Sequence, residues 1–180
     1  MDAARRGVEA ARLLARVRPD LVTPGLTPVE LAEVQRRHGF TFADDHRAFL
    51  AAGLPHGDRW PDWRGSPDDQ LGWPVEGVLF DVEHNQFWYP GWGARPDRMA
   101  DARSVAARHL ATVPRMVPVY GHRYLPAGPG SGGHPVLSIY QTDVVVYGRD
   151  LVDYVGREFG GLAPSIDGGV TVEFWRDLVS

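Results

Sequence analysis

The sequence predicts an α+β fold: a mostly antiparallel sheet with helices packed at one face and a helical segment at the N-terminus. Three observations carry that expectation. Helix-period segments come first, strand-period segments follow with one helical segment among them, and helical patterning returns near the end. Two strand segments, "PVLSIYQ" (135–141) and "DVVVYG" (143–148), lie so close together that only a hairpin joins them, turning near 141–143. A chain of 180 residues with 43% hydrophobic and 23% charged content suits one globular domain with a real core.

Residues 2–18 read as a helix started by Asp2, with Val8, Ala11, Leu14 and Val17 roughly on one stripe. "RPDLVTPG" ends it, so 1–20 is expected as a semi-detached N-terminal helical arm and 21–180 as a single domain. The next helix has Thr27 as N-cap, Pro28 at the first helical position and Glu30 three residues after the cap. Leu26 and Leu31 stand where a hydrophobic staple forms, and Arg36, Arg37 and His38 face the negative end of the dipole before Gly39. A short third helix runs from Asp44 or Asp45 to about Ala52, where "GLP" stops it.

Residues 58–74 are rich in Trp, Pro, Gly and Asp and read as a long ordered loop. "EGVLFDVE" (76–83) alternates like a strand. Residues 97–112 carry Met99, Val105, Ala106 and Leu110 at helical spacing, and "MVPVY" (116–120) reads as a strand. "AGPGSGG" (127–133) is a flexible loop between strands, suited to closing over a partner or ligand. "DLVDYVGREFGG" is a helix capped by Asp150 and closed by Gly160 or Gly161, and the tail ends in a short amphipathic element around Phe174, Trp175 and Leu178.

Several function classes are excluded or disfavoured. The chain has no cysteine, which removes disulfides, thiolate nucleophiles and Cys-ligated zinc. Arginines interrupt every apolar run near the start, and no window approaches the roughly 18 apolar residues that span a bilayer, so a cytoplasmic protein with no membrane partner is expected. A net charge of −4 argues against nucleic acid and fits a basic protein partner better. All 19 basic residues are arginine, which points to a GC-rich genome.

Asp81, Glu83 and His84 are metal-ligand types, but no HExxH or second histidine at ligand spacing accompanies them, and neither metal nor cofactor is expected. Ser138 sits in a strand without a nucleophile elbow, and Ser66, Ser104, Ser131 and Ser165 have no local signature. His122, Arg123 and Tyr124 precede the glycine-rich loop that ends at His134. Together they could hold an anion or set a general base beside an electrophilic arginine. The simpler reading pairs Arg123 with a carboxylate and packs Tyr124 beneath. In "FDVEHNQFWYPGWGARP" (80–96) the rings of Phe87, Trp88, Tyr89 and Trp92 crowd together, with Trp60, Trp63 and Trp73 nearby in sequence. Such rings form cages and interface anchors, yet they also plug the end of a small sheet, and a structural role for most is the expectation. No residue is assigned as catalytic. The partner- or ligand-binding candidates are Trp60, Trp63, Trp88, Trp92, His122, Arg123, Tyr124 and His134.

"GLTPVELAEVQRRHGFTFADDHRAFLAAGLP" (25–55) resembles the N-terminal signature of the SUKH superfamily, at Leu26, Thr27, Glu30, Gly39, Phe40, Phe49 and Leu50. "PVLSIYQTDVVVYGRDLVDYVGREF" (135–159) is similar to that family's terminal hairpin and helix, and the Trp-rich middle looks like its actinobacterial branch. The chain departs from the family at Gly53-Leu54-Pro55, where Asn-Gly-Gly is usual, and in its longer loop at 121–134. The resemblance implies an α+β fold and a non-enzymatic protein-binding domain, in many bacterial members an immunity protein that neutralises a toxin. The alternatives are a small-molecule-binding protein or biosynthetic enzyme using His122, Arg123, Tyr124 and His134, and a regulatory scaffold.

Overall fold

The computed structural model describes residues 2–163 and 169–180. Four strands, β3 (Met116–Tyr120), β4 (Arg123–Pro126), β5 (Val136–Tyr140) and β6 (Asp143–Gly148), form an antiparallel meander in chain order. A two-residue pair, β1 (Val22–Thr23) with β2 (Leu54–Pro55), ties the segment before the second helix to the end of the third. The helices are α1 (Ala3–Val17), α2 (Pro28–His38), α3 (Asp44–Ala52), α4 (Asp68–His84), α5 (Met99–Leu110) and α6 (Leu151–Glu158). The fold is α+β, with the sheet antiparallel throughout.

Helix cover extends beyond the one face expected. Strand side chains alternate, so each strand feeds two faces. Val117, Val119, Leu125 and Val136 join Ala10, Leu14, Phe42, Phe49, Leu151 and Val155 in one core beneath α1, α3 and α6. Met116, Tyr124, Leu137, Ile139 and Val144 join Val78, Val82, Ala102, Ala106 and Trp175 in a second core beneath α4 and α5. Both faces are apolar, so both need a lid.

The N-terminal helix is part of the first core and not a detached arm. Asp2 caps it by accepting from the Arg5 amide at 2.8 Å. Ala10, Ala11 and Leu14 are buried against α3 and α6. At Gly7 the two helices touch so closely that a Cβ there would stand 2.0 Å from the Asp45 carbonyl oxygen. The α2 start matches the sequence: the Glu30 amide donates to Thr27 Oγ1 at 3.2 Å and the Thr27 amide to Glu30 Oε2 at 2.7 Å.

The middle of the chain overturns two expectations. Residues 76–83 are not a strand, and the supposed loop of 58–74 gives way at Asp68 to a 17-residue helix, α4. Leu71, Pro74, Val78, Leu79 and Val82 recur at helical spacing and are buried, so the short alternation at 76–83 is one side of a longer 3.6-residue pattern. Pro74 sits inside this helix. It has no N–H for the Gln70 carbonyl four residues back, which would be left bare. The Tyr124 hydroxyl donates to that carbonyl at 3.0 Å, crossing from β4 to fill the gap.

Candidate functional site

Most of α4 buries one side, but its outer side carries Trp73 and Phe80, seven residues apart and therefore on the same line. They are 44% and 45% exposed. Between them lies Gly77, and the β5–β6 turn rests there: a Cβ on Gly77 would stand 3.0 Å from the Gln141 Cα. Asp81, one turn further on, fixes that turn. Its Oδ2 accepts from the Thr142 amide at 2.9 Å and the Thr142 hydroxyl at 2.5 Å, while Asn85 donates to its Oδ1. The turn thereby presents Tyr140, 52% exposed, with its ring 5.9 Å from that of Trp73. His122, from the β3–β4 turn, stands 6.2 Å from Tyr140 with the ring planes at 79°.

Beside these rings opens a cleft of about 350 Å³, lined by Asp58, Arg59, Asp69, Trp73, His122 and Tyr124. Its lower edge is set by backbone. The Gly121 amide donates to the Arg59 carbonyl at 2.7 Å, and the Gln70 side chain donates to the Arg59 and Gly121 carbonyls at 3.3 and 3.4 Å. Arg59 lays its guanidinium 4.6 Å from the centre of the Tyr120 ring. Partial burial, then the positive charges of Arg123 and Arg59, hold His122 below its ordinary range, so the ring is neutral at pH 7. Burial pushes the Tyr124 phenol well up, which keeps it protonated and a hydrogen-bond donor. Among the described residues neither Asp58 nor Asp69 is in an ion pair.

The four polar candidates separate. His122, in the β3–β4 turn, and Tyr124, two residues on in β4, both line the cleft. Arg123 points through the opposite face. It is 6% exposed, donates to Ser138 Oγ at 3.2 Å and stacks 3.7 Å from the centre of the Tyr147 ring, with no carboxylate partner among the described residues. The expected carboxylate pair is replaced by an aromatic one. His134 lies at the other end of the β4–β5 connection, beside buried Asp45. The loop between them is fastened down and is no free lid. The Asp44 amide donates to the Ser131 carbonyl at 2.8 Å, and Gly130 and Gly133 amides donate to the Asp44 and Asp45 carboxylates.

The tryptophans also divide. Trp60 and Trp63 are buried in the first core, Trp63 edge-on to Phe42 at 5.1 Å. Trp92 is buried in the second core, stacked between His109 and Phe174 at 6.0 and 5.9 Å. Trp88 is half-buried, donates its indole N–H to the Gly93 carbonyl at 2.8 Å and meets Trp92 edge-on at 5.2 Å. These four plug cores, in two separate clusters. Glu83 is bound to Arg103, Asp81 is spent on the β5–β6 turn, and no group of three or more His, Asp or Glu among the described residues is arranged to hold a metal. Ser165 lies outside the described residues. Trp73, Phe80, Tyr140, Arg59 and Asp69 were not among the sequence candidates. The signal for the first two was their seven-residue spacing, visible only once α4 is read as a helix.

No family model, no curated protein and no solved structure matches this chain. Among the described residues no helix is long and apolar enough to cross a membrane.

Proposed function

We propose that this chain is a cytoplasmic protein-binding module that docks a basic protein partner on the face built from the outer side of α4 and the turns β3–β4 and β5–β6. The observation that carries the reading is the gathering of Trp73, Tyr140 and Phe80 on one face, while Trp60, Trp63 and Trp92 are all sunk in cores. Large exposed aromatics grouped on one surface favour a partner, because rigid rings bury much area at little entropic cost. The carboxylates of Asp58 and Asp69, in no ion pair among the described residues, together with a net charge of −4, favour a basic one. The resemblance to the SUKH superfamily makes that partner a toxin domain and the chain its immunity protein. The alternative enzyme reading is less favoured, since of His122, Arg123, Tyr124 and His134 only His122 and Tyr124 line one cleft.

The test is co-expression with the product of the gene immediately upstream, which the proposal requires to be a toxin. Wild type should form a complex and protect growth. Trp73→Ala with Tyr140→Ala should lose both while keeping the wild-type melting temperature. Full protection by that double variant would move the interface elsewhere, and turnover abolished by His122→Gln would sink the reading altogether.

A further inference from the structure

The rings of Trp73 and His122 line the cleft, and Tyr140, outside the lining, stands 5.9 Å from the one and 6.2 Å from the other. Trp73 and Tyr140 are tilted by 56°, and Tyr140 and His122 meet at 79°, so Tyr140 stacks face to face on neither. Each ring face carries negative charge density. Asp69 lies one helical turn before Trp73 on the same side of α4, and Asp58 also lines the cleft. A neutral His122 adds a second ring without adding a charge that would repel a cation. The one cation in the cleft, Arg59, is already seated over Tyr120. Aromatic lining, two carboxylates unpaired among the described residues and a volume near 350 Å³ together complement a flat or compact cation on a slender stem.

From this we infer that the cleft is a socket for one arginine side chain of the partner, its guanidinium stacked on Trp73 and paired to Asp69 and Asp58. The inference rests on the protein-binding reading but is tested without any partner. The guanidinium is preferred to an ammonium because it is planar, stacks on an indole face and is weakly hydrated, so it loses less on leaving water.

The experiment titrates the intact chain with N-acetyl-arginine amide, and with the matching lysine, glutamate and glycine amides, following indole and imidazole NMR shifts. Saturable shifts at Trp73 and His122 are expected with the arginine probe, weaker ones with lysine and none with glutamate or glycine. Trp73→Ala should abolish binding. Asp69→Asn should weaken it about threefold, and Arg59→Ala should tighten it by a similar factor, since one change removes an attracting charge and the other a repelling one. The opposite signs, with glutamate amide bound and Arg59→Ala weakening it, would show an anion site and overturn the inference. No saturable shift with any probe would overturn it too. Neither of these results would bear on whether a whole protein docks on this face, which the co-expression assay decides separately.

Discussion

Replacing Tyr124 by Phe removes one oxygen and leaves the ring in its core. The oxygen is the hydroxyl that donates to the Gln70 carbonyl at 3.0 Å, the group that Pro74 cannot serve. A partly buried carbonyl left without a donor costs about 1–3 kcal/mol. Taking ~2 kcal/mol, and a urea dependence of ~2 kcal/mol per molar, the unfolding midpoint should fall by about 1 M. The origin of that loss is tested by repeating the change in a Pro74→Ala background. The alanine brings back an amide N–H that completes the helical bond to Gln70, so Tyr124→Phe should then cost less than half as much. The coupling between the two positions should be about 1 kcal/mol, in the range found for residues sharing one interaction. Equal costs in both backgrounds would mean that the hydroxyl does not stand in for the missing N–H, and the account of how α4 tolerates its proline would be wrong.

Three further outcomes follow from the same structure. Gly7→Ala, favoured by helix propensity by about 1 kcal/mol, should nonetheless destabilise by roughly 1–3 kcal/mol because its Cβ meets the Asp45 carbonyl; thermal unfolding showing a gain would mean α1 rides loosely on α3. His46 is buried among Phe42 and Trp63 with neither ring nitrogen bonded, and burial lowers its pKa to about 3 from 6.5. The unfolded chain therefore takes up a proton below about pH 6.5 that the folded chain refuses, so stability is full above that pH and falls as pH drops toward 3, by on the order of 4 kcal/mol. Asp45, raised by burial, works in the opposite sense, so His46→Phe should flatten the acid side of the stability curve, and an unchanged slope would assign it to other groups. Asp81→Ala should cost about 3 kcal/mol through the lost bonds to Thr142 and Asn85; an unaltered unfolding midpoint would show that the β5–β6 turn holds its place on α4 without it.

What was legible in the sequence was what local chemistry decides. The α2 start is written in four adjacent residues, and its capping box is present atom for atom. The β5–β6 hairpin follows from spacing alone, and it is there. The misreadings arise where a distant partner decides. Pro74, Gly72 and Gly77 each argue against a helix, and α4 exists because Tyr124 satisfies the one carbonyl and the β5–β6 turn needs the gap at Gly77. β4 was hidden because "HRYLP" looks like loop chemistry, whereas Tyr124 and Leu125 each fill a different core. The same alternation scatters the polar candidates: neighbours in sequence on a strand point to opposite faces, so His122 and Arg123 never share a site. The proposed docking face stayed unread because its rings come from α4, the end of β5 and the β3–β4 turn, which only tertiary packing assembles.

The four-stranded sheet, seen as a partition, has a consequence for how the molecule opens. It divides the interior into two compartments that share strands: α1, α2, α3 and α6 with Leu71 from the start of α4 on one side, the rest of α4 and α5 on the other. Each compartment can lose its lid while the strands remain paired. Amide exchange should accordingly resolve two subglobal openings, with β3–β6 the last to exchange. The proposed docking face is carried mainly by α4. A partner seated there would slow exchange in α4 and leave α1 and α6 breathing at their own rate, so occupancy on one side would be silent on the other.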